Sequence, residues 1–388
     1  MITSTLKIRV KISTLIALTL KLSLSMGLSY MTVIDAGSSG SRLHLYEYAA
    51  NSPLTSLKEI YHAESEPGLS QYADSPQDAY QAIATLMQQS DNFLLEKNIK
   101  TPTPLYILAT AGMRLLPETT QATIYTHLEH TLKKEHPEFD LRDIKTISGE
   151  MEGLFGWLDV NYLSGTFQNN TPSVASLDMG GASTEITYQI NNLNNLNNLN
   201  KNPIIIRINN TRYTLISQSY LGLGQDQARL SALDNPASIS CFPDHFDFFK
   251  CTQLYHDVIE SKKIEPALTD LAQQKIIAHA GFYYTYHFFD SDTHLDKNTQ
   301  QTAFVDTVNQ RCQQDWESFQ KAYPNTPTKY LHNYCANASY FYELLYHHYK
   351  INDEQLTVLN SINDQAIDWT LGAAIYYSAL SDSDPLKN

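Results

Sequence analysis

The stretch Val33-Ile34-Asp35-Ala36-Gly37-Ser38-Ser39-Gly40-Ser41-Arg42 recurs in kind at Leu177-Asp178-Met179-Gly180-Gly181-Ala182-Ser183-Thr184-Glu185, and this duplication constrains the fold most. In both copies an apolar run ends on an aspartate, two glycines and hydroxyl residues follow, and the chain then alternates apolar and polar residues at the period of a half-buried strand. Each copy reads as strand, phosphate loop, strand. Glycine lets the backbone turn tightly and approach a ligand, so that successive N–H groups converge on an anion. The candidate phosphate contacts are Gly37, Ser38, Ser39, Gly40, Ser41 and Arg42 in the first copy, and Gly180, Gly181, Ala182 and Ser183 in the second. Asp35, at the loop's mouth, would repel a bare phosphate and so implies a divalent cation, held directly or through water. One such loop alone reads equally well as an ordinary glycine-rich hairpin. The two aspartates lie 178 − 35 = 143 residues apart, a domain length, so two similar halves facing one cleft are expected.

This layout resembles the actin, hexokinase and Hsp70 superfamily, and further stretches narrow the resemblance. Leu105-Tyr106-Ile107-Leu108-Ala109-Thr110-Ala111-Gly112-Met113-Arg114 and Gly149-Glu150-Met151-Glu152-Gly153-Leu154-Phe155-Gly156-Trp157 are similar to the second and third signature regions of the apyrases, the nucleoside triphosphate diphosphohydrolases. Asp368-Trp369-Thr370-Leu371-Gly372 resembles the fifth, and the two hairpins resemble the first and fourth. The resemblance implies an α/β fold of two actin-like (ribonuclease-H-like) domains with a central active-site cleft. It implies hydrolysis of nucleoside tri- and diphosphates by direct attack of water, using Mg²⁺ or Ca²⁺.

The family's general base precedes its Gly-x-x-Gly-Trp element, which selects Glu152 here, immediately before an expected helix from Leu154 to Leu163. Asp35 and Asp178 would hold the cation through water, with Glu152 a further candidate ligand. Ser183 and Glu185 would orient the attacking water. Thr110 ends its strand with a hydroxyl, and Arg114 could clamp phosphate or pair with an acid; Asn161 and Trp369 are supporting residues. Phe282-Tyr283-Tyr284-Thr285-Tyr286 and Tyr340-Phe341-Tyr342 resemble the segments whose rings sandwich the nucleobase, and Tyr340 and Tyr283 are the expected pair, although clustered aromatics at helical spacing usually form core. Glu185 departs from the apyrase pattern, which has glutamine there. Exopolyphosphatases and guanosine pentaphosphate phosphohydrolases carry glutamate, so polyphosphate hydrolysis is the rival activity. A sugar kinase would lack a use for Glu152, and a non-catalytic actin-like nucleotide-binding protein would bind without turnover.

A chain of 388 residues, 42% hydrophobic, can build two packed domains, while its net charge of −14 argues against nucleic acid as a partner. Lys7, Arg9 and Lys11 precede a nine-residue apolar run from Ile12 to Leu20, with small residues at Ser25 and Gly27. That pattern suggests a signal peptide over 1–27, interrupted by Lys21, and a secreted or periplasmic protein. Domain I is expected over 28–148 plus 367–388 and domain II over 149–366. The polar tail from Ser381 argues against a C-terminal membrane anchor, and a monomer of the soluble bacterial type is expected. Four cysteines, Cys241, Cys251, Cys312 and Cys335, read as two disulfides behind a signal; three connectivities are possible, and zinc held with His245 is the rival. The sequential pairing, Cys241 with Cys251 and Cys312 with Cys335, is favoured and is also what the resemblance implies. Helices are expected from Pro76 to Lys97, Thr119 to Lys134, Glu265 to His279 and Asn333 to His348, and the Asn-Asn-Leu repeat from Asn191 to Asn200 reads as a surface insertion.

Overall fold

The computed structural model describes residues 27–100, 102–191, 202–264, 270–290 and 301–380. The expected leader, all but the first residue of the Asn-Asn-Leu insertion and the C-terminal tail lie outside the described residues.

Five strands form the first sheet: β1 Leu28–Ala36, β2 Ser41–Ala49, β3 Lys58–Ser65, β4 Thr103–Ala109 and β5 Phe139–Thr146, in the order β3-β2-β1-β4-β5. β1 runs antiparallel to β2 and parallel to β4. Flanked on both sides, it buries six consecutive residues, Met31 to Ala36, which are apolar except for Thr32 and Asp35. The second sheet contains β6 Ala175–Met179, β7 Ser183–Gln189, β8 Ile204–Ile208, β9 Thr211–Leu221, β10 Ile276–Ala280 and β11 Leu356–Val358, in the order β11-β10-β6-β7-β9-β8.

Leaving out the edge strand β8, both sheets have one plan. A hairpin pairs with a third antiparallel strand on one side, and two parallel strands follow on the other. The duplication read from two short loops is thus a duplication of whole sheets. One element differs from expectation: the segment assigned to a helix from Glu265 to His279 ends in β10, and 265–269 lie outside the described residues. Ile276-Ile277-Ala278 is buried between β6 and β11, and a short apolar run in a central parallel strand has no period to separate it from helix.

The helix Gly149–Leu163 starts where Ser148 accepts a hydrogen bond from the N–H of Met151 at 3.3 Å. Glu152 therefore lies in its first turn, not ahead of the helix. From Glu152 to Leu163 every residue is buried, because this helix packs on β6, β7 and β9 on one side and on the helix Trp369–Ile375 on the other. The second helix rests on β1 and β2, so the pair joins the two sheets. They can cross this closely only because position 372 is glycine: a β-carbon there would lie 1.8 Å from the carbonyl oxygen of Phe155.

Cys241–Cys251 and Cys312–Cys335 are disulfides, the sequential pairing, which leaves no thiolate for zinc. No helix among the described residues is long and apolar enough to cross a membrane.

Candidate active site

The two hairpin loops face each other across a cleft of about 250 Å³. Their separation is small enough that a β-carbon on Gly181 would lie 2.7 Å from Ser38 Oγ. None of Gly37, Gly40, Gly180 and Gly181 has a left-handed φ, so these glycines serve close approach, not the turn itself. The backbone N–H groups of Ser38, Ser39, Gly181 and Ala182 have no acceptor among the described residues, which leaves donors for an anion. Gly37, Ser38, Ser39, Arg42, Thr110, Gly180 and Gly181 line the cleft, whereas Gly40, Ser41, Ala182 and Ser183 support it from outside the lining.

Strand register puts the charged groups in place. Asp35 is paired with Arg42 across the first hairpin and Asp178 with Glu185 across the second, so equivalent positions carry opposite charges. Arg42 Nη1 is 3.3 Å from Asp35 Oδ2. Parallel pairing of β10 with β6 sets His279 beside Asp178, with Nδ1 3.9 Å from Oδ1 and Nε2 3.0 Å from Ser176 Oγ. Burial depresses the His279 pKa to about 4, so its imidazole is neutral at neutral pH.

Asp368 caps the helix Trp369–Ile375, accepting from the Thr370 N–H at 2.8 Å, while its own N–H donates to Asp159 Oδ2 at 2.8 Å. Burial would raise its pKa, but His44, the Thr370 donors and Arg42 outweigh it and hold the carboxyl below the usual range. Asn161 ties the central helix to the start of β6 through the carbonyl and N–H of Val174, and Trp369 stacks on Phe155.

Four carboxylates, Asp35, Glu152, Asp178 and Asp368, line this one cleft. Burial raises Asp35 to about 6, with Arg42 pulling it back and Asp368 adding to it. Glu152 and Asp178 are pushed well above the usual range, first by burial and then by the charge of Glu185. Oδ1 of Asp35 is buried with no hydrogen-bond partner. A donor set dominated by carboxylate oxygens, one of them unsatisfied, fits a hard divalent cation, which Asp35 and Asp178 could hold.

Behind the cleft, Arg114 gathers the acids. Its Nη2 lies 2.6 Å from Glu152 Oε2, 3.0 Å from Ser183 Oγ and 3.5 Å from Glu185 Oε1. Of the two roles open to Arg114, the structure shows pairing with acids. Glu185 Oε1 accepts from Ser183 at 2.5 Å and Ser219 at 2.7 Å, and its Oε2 is buried without a partner. Burial raises the Glu185 pKa against the pull of Arg114 and the two hydroxyls. Ser183 and Glu185 do not line the cleft and connect to it through Arg114 and Glu152. Glu150 is exposed on the other side of its helix.

The expected nucleobase pair is not formed. Tyr340 is 1% exposed, packs against Tyr255 and Phe341, and donates its hydroxyl to the Leu223 carbonyl, so neither face is available to a base. Tyr283 is half-buried and stacked on His287 at 5.1 Å, outside the cleft lining. Of the tyrosines, Tyr284, 61% exposed, lines the cleft near Gln225, as does Trp369. His279 and Gln225 were not singled out from sequence, while Asp368 headed the stretch that resembles the fifth signature region and Tyr284 lay in the aromatic segment next to the expected Tyr283. Asp368 also carried a local signal, the Asp-x-Thr pattern of a helix cap.

The sequence profile of the GDA1/CD39 (nucleoside phosphatase) family matches residues 22–240 and 260–386. Probable apyrase 3 of Arabidopsis thaliana is 26% identical over 414 residues, covering 92% of this chain and 84% of that protein. Mouse (Mus musculus) ectonucleoside triphosphate diphosphohydrolase 1 is 27% identical, with 92% and 82% covered. Among solved structures, a nucleoside triphosphate hydrolase from Neospora caninum superposes with a TM-score of 0.68 at 14% identity, covering 92% of this chain and 93% of that one. A Ppx/GppA protein from Aquifex aeolicus gives a TM-score of 0.56 at 14% identity, with 91% and 99% covered. At such identities both structures speak for the two-domain actin-like fold alone.

Proposed function

The chain belongs to the GDA1/CD39 (nucleoside phosphatase) family, and on that premise we propose that it is an apyrase, a nucleoside triphosphate diphosphohydrolase that cleaves nucleoside tri- and diphosphates to monophosphates by direct attack of water. The observation that carries this reading is the Glu152 carboxylate opening on the same cleft as both phosphate loops. Phosphoryl transfer to water needs grip on the phosphate oxygens, neutralisation of charge and a base behind the phosphorus.

The N–H groups of Ser38, Ser39, Gly181 and Ala182 donate to the phosphate oxygens, with Arg42 and Thr110 adding side-chain donors. Asp35 and Asp178 would hold Mg²⁺ or Ca²⁺ through water, and the chemistry supplied there would be neutralisation of the phosphate charge. Glu152 takes the proton of the attacking water, and Arg114 favours its ionised form against the burial that opposes it. Ser183, Ser219 and Glu185 fix Arg114 and thereby the base. The leaving group is the nucleotide shortened by one phosphate. Tyr284 offers the base a flat face that tolerates any nucleobase.

These groups are divided between two domains, 28–148 with 367–388 and 149–366. Two disulfides suit an oxidising compartment, which supports secretion or a periplasmic location. Phosphate release from ATP, ADP, GDP and long-chain polyphosphate, each with Mg²⁺, Ca²⁺ or EDTA, is the test. Nucleotide turnover lost in EDTA is expected. Full activity in EDTA, or polyphosphate turnover above that of every nucleotide, overturns the assignment.

A further inference from the structure

Far in sequence from both loops, three imidazoles surround one buried carboxylate. Glu343 is 3% exposed, and its Oε1 lies 2.8 Å from His256 Nδ1 and 3.3 Å from His348 Nε2, while Oε2 lies 2.7 Å from His347 Nδ1. His256 belongs to the helix Phe248–Ser261, and the others to the segment Glu343–His348, which is π-helical. Its i to i+5 hydrogen bonding is what brings His348 alongside Glu343 as well as His347 at i+4, and such turns are frequent at functional sites.

Hydrogen bonding alone leaves part of this arrangement unexplained. The His348 side chain is 9% exposed, and its Nε2 lies 3.3 Å from Glu343 Oε1, a charge contact without good hydrogen-bond geometry. Its other nitrogen, Nδ1, faces Glu260 Oε1 at 3.6 Å. A metal-binding histidine is arranged this way: one nitrogen is presented to the ion, and the other is turned to a carboxylate that fixes the tautomer.

We infer that His256 Nδ1, Glu343 Oε1 and His348 Nε2 form a binding site for a divalent transition-metal ion of the zinc class, clamping the helix Phe248–Ser261 to the π-helical segment. One ligand atom from each of the three residues lies within 4.8 Å of the others. Tetrahedral zinc with ligands at ~2.0–2.1 Å separates them by roughly 3.3 Å, so small side-chain rotations close the site. Two imidazole nitrogens with one carboxylate select zinc-class ions over Mg²⁺ or Ca²⁺. His347 holds the second carboxylate oxygen, and water completes the coordination.

The test uses the untagged full chain, stripped with EDTA and dialysed. It is titrated with Zn²⁺ against a chromophoric chelator, and with Co²⁺ for the visible absorption of a four-coordinate ion. One equivalent per chain is expected, with affinity lowered at least tenfold in His256→Ala and lost in His256→Ala/His348→Ala, while Mg²⁺-dependent nucleotide hydrolysis of His256→Ala, the fold control, is retained. Absence of stoichiometric binding overturns the inference. So does binding that survives the double variant, which would place the ion among the cleft carboxylates, and so does loss of hydrolysis in His256→Ala with binding intact.

Discussion

Asp35 is held in the fold at a cost that its function requires, and removing the charge should stabilise the protein while disabling it. Burial raises its pKa from 3.8 to about 6, so between those pH values the folded state keeps a proton that the unfolded chain has released. Stability therefore falls as pH rises through that window, and the full cost is present above about pH 6. A rise of about two pKa units corresponds to ~3 kcal/mol. Asp35→Asn removes this cost; the pull of the Arg42 ion pair at 3.3 Å is already contained in the raised value.

The expectation for cation-free protein at pH 8 is about 3 kcal/mol of stabilisation, or roughly 3–4 °C in Tm for a chain of this length. Near pH 4 the difference should vanish, because the native wild-type carboxyl is then neutral as well. Thermal unfolding of both proteins in EDTA at pH 4 and pH 8 measures it. An Asn variant less stable than wild type at pH 8, or equally shifted at both pH values, would refute the reasoning. Activity of this variant should be largely lost, and added Mg²⁺ should raise the Tm of wild type more than that of the variant.

Glu152→Gln should lower kcat by roughly two to four orders of magnitude with little change in nucleotide binding, whereas the exposed Glu150→Gln should leave kcat near wild type; steady-state kinetics of the two separates a base from a disturbed helix start. Glu185→Gln should keep substantial activity, since an amide oxygen can accept from Ser183 and Ser219 as Oε1 does, and should lose an alkaline decline expected from the raised pKa of Glu185; a fall by orders of magnitude at every pH in a pH-rate profile would mean that Glu185 acts ionised. Tyr284→Ala should raise KM about tenfold at unchanged stability, while Tyr340→Ala should unfold more readily by ~3–5 kcal/mol, and the opposite assignment in kinetics and unfolding would restore Tyr340 as the base contact. Reduction of both disulfides, which close loops of 10 and 23 residues, should lower stability by several kcal/mol without removing any group at the cleft.

By itself the sequence determined the parts of this protein whose geometry is local. A loop that must pass close to an anion needs glycine and hydroxyl residues at fixed offsets, so Asp35 with Gly37 to Arg42, and Asp178 with Gly180 to Ser183, were legible as a pair. Glu152 was singled out by the family resemblance and by its place at a helix start, although the helix begins earlier than its apolar run suggested. Only the tertiary structure decided which groups share the cleft.

His279 joins Asp178 through parallel pairing of strands about a hundred residues apart, and the strand that carries it was indistinguishable from helix in a short apolar run. Arg114 looked equally fit for phosphate or for acids until the packing of β7 and β9 against the central helix set Glu152 and Glu185 on either side of it. Tyr340 and Tyr284 have the same chemistry, and their roles differ because one ring points into a core of aromatic neighbours and the other into water. The cluster around Glu343 had no sequence signature, since its histidines meet across two helices and depend on a π-helical turn that residue spacing does not announce.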